Sequence, residues 1–141
     1  MIQYTRTLLP AATGGIAAAR VVRILSSTIA YCDADTDQGA TAALTPLGLT
    51  SASADAGVNV EAIINNATES ASYTAGAAVT VGAMLVALDG ESGKVTPYDV
   101  SDYSDGDVIW ILGKAHTAAS GDGVRFLGSF EPYFFTVSIP A

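Results

Sequence analysis

The chain has 141 residues, half of them hydrophobic, and a formal net charge of −8 at pH 7. This length predicts one domain, and the acidic balance argues against binding to nucleic acid or to an anionic membrane surface, because both need a basic face. Charged residues make up only 14% of the chain, against about 25% in typical soluble domains, which favours assembly with further copies or with a partner.

Residues 1–14 are predicted to form an extended N-terminal arm ahead of the main domain, residues 15–141. The arm contains Pro10 and ends at Gly14-Gly15, a pair that would make a flexible joint. Residues 1–32 carry three arginines and no acid, whereas all fourteen acids lie in the rest of the chain. A basic leading segment on an acidic body is typical of an arm that crosses onto a neighbouring subunit.

The pattern of apolar residues beyond the arm predicts an all-β domain. Val58, Val60, Ala62 and Ile64 alternate along one face and give the clearest strand. Residues 84–88 are expected to form a hairpin with the strand that starts at Val95. Further strands are predicted at residues 21–25, 28–32, 108–112, 124–130 and 133–139. No segment sustains an amphipathic helical period for three turns.

One pattern occurs twice in the chain: a Leu-Gly pair, a bend of small residues and a strand that begins with Val. The first copy spans residues 46–60 and the second spans residues 111–126; their Leu-Gly pairs lie 65 positions apart. Each copy predicts a strand, a tight bend and a returning strand, with glycine at the left-handed positions of the bend. Two such units without a catalytic motif favour a β protein that acts through its surface.

The motifs follow one another in a recognisable order. Leu47-Gly48 is followed by Asp-Ala-Gly-Val-x-Val at residues 55–60, then by Tyr-Thr-Ala-Gly-Ala-Ala-Val-Thr-Val-Gly-Ala-Met-Leu at 73–85 and Gly-Lys-Val-Thr at 93–96. Leu-Gly-x-Ala and Ser-Gly-Asp-x-Val close the series at residues 112–124. This order resembles the capsid cement, or head decoration, proteins of tailed bacteriophages over about residues 14–128. Residues 97–107 and the tail after Phe130 depart from the family pattern.

The resemblance implies a small β-barrel or β-tulip-like domain that assembles as a homotrimer. It also implies binding to the outer surface of the phage head, where the partner is the major capsid protein shell, and stabilisation of that shell against the pressure of packaged DNA. The expected location is the capsid exterior of the virion, after synthesis in the host cytoplasm. No cofactor is expected. We assign shell contact to five residues of the arm: Ile2, Tyr4, Arg6, Leu8 and Leu9.

The aromatic tail that begins at Phe130 is a second candidate surface. Strand alternation places Tyr133, Phe135, Val137 and Ile139 on one face and leaves Phe134 on the other. The tail could serve as the last core strand, or it could contribute to an interface between subunits, because aromatic residues concentrate at interface centres. Phe134 is the candidate interface residue.

Asp33, Asp35 and Asp37 have the spacing of metal ligands. The calcium loop of an EF-hand needs glycine at its sixth position and an acid at its twelfth, where this chain has Gln38 and Leu44. A solvated acidic loop is therefore expected, with a weak cation site as the alternative.

Catalytic motifs are also missing from the sequence. His116 is the only histidine, and no Gly-x-Ser-x-Gly motif is present, so no catalytic residues are assigned and the protein is predicted not to be an enzyme. Cys32 is the only cysteine and cannot form a disulfide within the chain.

An extracellular adhesin or surface-layer β module is the alternative function, since such proteins are also acidic and rich in small residues.

Overall fold

The structure is a computed structural model, which describes residues 4–32, 45–65, 70–88 and 92–140. Within these residues the chain forms twelve strands, arranged in four antiparallel sheets, and one 3-10 turn at Val100–Asp102. The prediction of an all-β single domain is confirmed. The strands are β1 (Tyr4–Pro10), β2 (Val21–Leu25), β3 (Thr28–Tyr31), β4 (Gly48–Thr50), β5 (Asn59–Asn65), β6 (Ala71–Thr74), β7 (Met84–Ala87), β8 (Val95–Pro97), β9 (Val108–Ile111), β10 (Gly113–Lys114), β11 (Arg125–Gly128) and β12 (Tyr133–Thr136).

The same strand order occurs twice along the chain. The five-stranded sheet has the order β1-β5-β4-β2-β3. In the second half, β6 pairs with β11, β10 pairs with β7, and β7 pairs with β8, while a bridge between Ala115 and Gly128 joins β10 to β11. The second half therefore reads β6-β11-β10-β7-β8, which copies the first sheet strand for strand.

The backbone hydrogen bonds between strands confirm this duplication. Ile16 and Ala54 exchange two bonds of 2.8 Å, and Val79 and Ala119 exchange two bonds of 2.9 Å. The Ala11 amide donates to Val58 at 2.8 Å in the first half. Its counterpart, the Ala75 amide, donates to Val124 at 2.9 Å in the second half. We call residues 4–65 the first repeat and residues 70–131 the second repeat. The Leu-Gly pattern of the sequence is a part of this larger unit.

A shared apolar core joins the two repeats. Its largest cluster contains Leu49 and Ile63 from the first repeat together with Tyr73, Leu85 and Phe126 from the second. The rings of Tyr73 and Phe126 stack with their centroids 5.4 Å apart. Both repeats therefore bury side chains in one cluster and are not packed as two separate modules.

Residues 4–10, which the sequence assigns to the N-terminal arm, form the edge strand β1 and pair antiparallel with β5. Leu8 packs against a core cluster that includes Val22 and Val60. Residues 4–10 therefore have a partner within the chain, since β5 offers them a backbone ladder. Gly14 and Gly15 have φ angles of 95° and 77°, the conformation that glycine adopts most easily. The boundary at residue 14 stays a prediction.

Candidate interaction surface

Strands β9 and β12 form a separate two-stranded sheet, which we call the aromatic ribbon. Phe134 lies opposite Trp110 in its register. The two rings have centroids 4.0 Å apart at an interplanar angle of 32°. Phe134 is 54% exposed, although it is a large aromatic residue held on a regular strand. The outer face of the ribbon thus presents a ring pair to the surroundings.

The other face of the aromatic ribbon packs inward. Ile109, Ile111 and Val137 are buried in one cluster, and Phe135 packs against it. The Phe135 ring meets Tyr98 edge-on at 5.4 Å. Strand alternation therefore places Phe134 outward, which agrees with the face assigned to it from the sequence. Its role at an interface between subunits stays a prediction.

Trp110 carries an unusual polar atom. Its indole Nε1 is buried and has no hydrogen-bond partner among the described residues. An indole N–H can only donate, and a buried donor without an acceptor costs free energy. The aromatic ribbon therefore combines an exposed Phe134 ring with a buried indole N–H that has no acceptor among the described residues.

The arm residues assigned to shell contact have different environments. Arg6 is exposed and Leu9 is 41% exposed, whereas Leu8 is partly buried against the core. Tyr4 begins β1, and Ile2 lies outside the described residues. The four residues from Tyr4 onward belong to the five-stranded sheet, while Phe134 belongs to the aromatic ribbon. The candidate contacts thus lie on separate elements, and their assignment to the shell stays a prediction.

The reactive side chains of the described residues are few. His116 Nδ1 lies 2.6 Å from Ser70 Oγ, with both residues exposed. Cys32 is a buried free thiol. No group of three or more metal-ligating side chains occurs in the described ranges, and the cluster Asp33, Asp35 and Asp37 falls outside them.

Comparisons with known proteins give one informative result. No protein-family model matches the chain, and no curated protein matches its sequence. Its fold is similar to the crystal structure of the head fiber gp8.5 N base in bacteriophage phi29, with a TM-score of 0.58 and 16% sequence identity. The similarity covers 92% of this chain and 95% of that one. At this identity the likeness establishes a shared fold. In the described part of the chain, no helix has the length and apolar character needed to cross a membrane.

Proposed function

We propose that this chain is a structural protein of a bacteriophage head, which decorates the outside of the shell and acts as a cement. The observation that carries the proposal is the fold shared with the phi29 head fiber base over 92% of this chain. The order of motifs in the sequence, which resembles phage cement proteins, supports the same class of protein independently of the three-dimensional comparison.

The geometry suits a protein that works by binding. A cement subunit needs a stiff body, because a compliant one would stretch with the shell instead of resisting its expansion. The duplicated sheets supply that body, since their shared core contains Leu49, Tyr73, Leu85 and Phe126, all nearly or fully buried. Many weak contacts, multiplied over the symmetric copies on a shell, then give high total avidity.

Two surfaces would make these contacts. The aromatic ribbon offers Phe134 to a neighbouring subunit, where covering the ring removes apolar area from water. The edge strand β1 offers Arg6 and Leu9 to the shell, with Ile2, Tyr4 and Leu8 in the same segment. Each surface is small, so stable binding requires several copies acting together. A homotrimer at threefold positions of the shell meets this requirement.

A binding assay with heads tests the proposal. Purified chain is added to heads of the encoding phage that lack this protein, and bound chain is measured after sedimentation. We expect saturable binding with a fixed number of copies per head. Phe134→Ala should reduce binding strongly. The control is Ile24→Ala, at another large apolar residue with 50% exposure, which should leave binding unchanged. Failure to bind heads together with binding to bacterial cells would favour the adhesin alternative.

Thermal release of DNA separates cementing from mere decoration. Decorated heads should retain their DNA at temperatures that open undecorated heads, because each bound subunit must detach before the shell can expand. Light scattering of the free chain tests the trimer in the same preparation. Equal heat resistance with and without the chain would contradict the cementing role.

A further inference from the structure

A polar groove of about 230 Å³ runs along the seam between the two repeats. We call it the seam groove. One wall comes from Thr50 and Ser51 of the first repeat, and the other from Ser70, Ser72 and Arg125 of the second. Ile63 and three alanines complete the lining: Ala18, Ala19 and Ala71. The lining contains one cation and no carboxylate, although the chain has fourteen acids and six bases.

The cation of the seam groove is available for a ligand. Within the described ranges, neither an ion pair nor a hydrogen bond joins the Arg125 guanidinium to another residue; the ion pair in these ranges joins Lys94 to Asp122. Asn59 holds the equivalent place at the start of β5, so the positive charge is particular to the second repeat. A guanidinium presents N–H donors in a planar fork that matches a carboxylate.

Hydroxyl groups extend this donor set. The Ser72 hydroxyl, like Arg125, makes no hydrogen bond within the described ranges. Ser51 Oγ makes only a long bond of 3.4 Å to the Glu61 carbonyl. In contrast, Thr50 Oγ1 is already engaged, since it donates to the Ala17 carbonyl at 2.8 Å and accepts from the Arg20 amide at 2.9 Å. Ser51 and Ser72 can therefore donate to an acceptor held beside Arg125.

We propose that the seam groove binds the carboxylate of an acidic side chain from a partner protein, with Arg125 as the cation and Ser51 and Ser72 as hydroxyl donors. The volume of about 230 Å³ suits a single side chain, because ligand sites for larger molecules usually measure about 300–1,000 Å³. One guanidinium neutralises one carboxylate. A phosphate dianion would retain a negative charge beside a protein whose net charge is −8, so a carboxylate is the better match.

Peptide titration of the isolated chain tests this proposal. The probes are the blocked peptides Ac-Gly-Glu-Gly-amide and Ac-Gly-Gln-Gly-amide, which differ only in the carboxylate, and the readout is the NMR shift of the backbone amides. We expect saturable shifts at Ser51, Ser72 and Arg125 with the Glu peptide alone. Equal shifts with both peptides would show that the groove does not select the carboxylate and would overturn the proposal.

Three variants and a comparison of inorganic phosphate with acetate complete the experiment. Arg125→Gln should weaken binding of the Glu peptide at least fivefold, and Ser72→Ala should weaken it two- to threefold. Lys114→Gln removes the same charge from an exposed residue outside the groove and should leave binding within twofold. Equal losses for Arg125→Gln and Lys114→Gln would contradict the site, and so would tighter binding of inorganic phosphate than of acetate at matched ionic strength. No phage particle is used, so this result is independent of the proposed head function.

Discussion

Gly57 and Gly123 occupy the same place in two copies of one β unit. Their φ angles are 82° and 81°, and their amides donate to the carbonyls of Ala11 and Ala75 at 2.9 and 2.8 Å. Each glycine is followed by a valine, and the returning strand begins at the next residue. The repeated Gly-Val of the sequence is thus explained by a left-handed turn that both repeats need.

This equivalence predicts equal effects of substitution. Open space surrounds the position of an added Cβ at both glycines, so Gly57→Ala and Gly123→Ala should each lower the free energy of unfolding by about 1 kcal/mol through backbone strain alone. Gly121→Ala, in open space and without a positive φ, is the control and should change it by less than about 0.5 kcal/mol. Urea unfolding measures all three. Unequal losses at the two glycines would contradict the structural equivalence.

The glycines of the two Leu-Gly pairs should differ from each other. A Cβ at Gly113 would collide with the Ser129 carbonyl oxygen, whereas at Gly48 it would lie 2.9 Å from the Ala62 methyl group and 3.2 Å from the Ile63 carbonyl. Gly113→Ala must move backbone and should cost about 3 kcal/mol, while Gly48→Ala should cost about 1 kcal/mol. A smaller loss at Gly113 than at Gly48, measured by denaturant unfolding, would contradict the close approach of β10 to Ser129.

The buried hydroxyl of Tyr73 predicts a loss of stability at high pH. It donates to the Ser129 carbonyl at 2.6 Å, and burial raises its pKa well above the ordinary value of 10.0. Above about pH 10 the unfolded chain releases this proton while the folded chain keeps it, so the free energy of unfolding falls, by at most about 1.4 kcal/mol per pH unit. The contribution is fully present below pH 10.

Tyr73→Phe isolates this effect. The variant should lose about 1–3 kcal/mol at pH 7, because the Ser129 carbonyl loses its donor, but its stability should fall less steeply than that of the wild type between pH 10 and 11. Parallel curves of unfolding free energy against pH for the two proteins would show that Tyr73 is not protected by burial.

Trp110 is the only tryptophan and reports directly on the aromatic ribbon. When another molecule covers Phe134, water leaves the neighbourhood of the indole, so the emission of Trp110 should shift to shorter wavelength on assembly. Phe134→Ala should reduce both the shift and the binding, while lowering folding stability only by about 1 kcal/mol, because the ring is more exposed than buried. An unchanged spectrum on saturated heads would exclude the ribbon from the contact.

Removal of β1 tests the role of the N-terminal segment in the fold and in head binding. Deletion of residues 1–10 exposes the edge of β5 and removes Leu8 from its cluster, so we expect a lower melting temperature and weaker head binding. The control Leu9→Ala changes an exposed residue and keeps the ladder, and it should reduce head binding while leaving the melting temperature nearly unchanged. A fully stable deletion variant would show that the pairing of β1 with β5 adds nothing to the stability of the domain.

Local patterns made much of the fold predictable. The alternation from Val58 to Ile64 and the turn residues before Val95 indicate β5 and the β7–β8 hairpin, because strand formation there depends on neighbouring residues. The full duplication is less visible, since equivalence resides in backbone bonds such as those of Ile16 with Ala54 and Val79 with Ala119. Backbone bonds form whatever small or apolar side chain the residue carries. The sequences of the two repeats could therefore diverge while these bonds persisted.

The candidate surfaces were also predictable only in part. Alternation was sufficient to place Phe134 on the outer face of its strand. Its ring contact with Trp110 depends on the pairing of β12 with β9, two strands that are far apart in sequence. The seam groove depends on the packing of one repeat against the other. The pairing of β1 with β5 was not predictable from the segment itself, because an edge strand and an extended arm have the same local sequence. Only the presence of β5 beside it distinguishes them.

A reconstruction of the complete particle by electron cryomicroscopy tests the central claim most directly. If the chain decorates a phage head, density on the outer surface of the shell should fit the duplicated fold in groups of three, with the aromatic ribbon at the contact between copies and β1 facing the shell. A head surface without such density, in particles shown by mass spectrometry to contain the chain, would contradict the account.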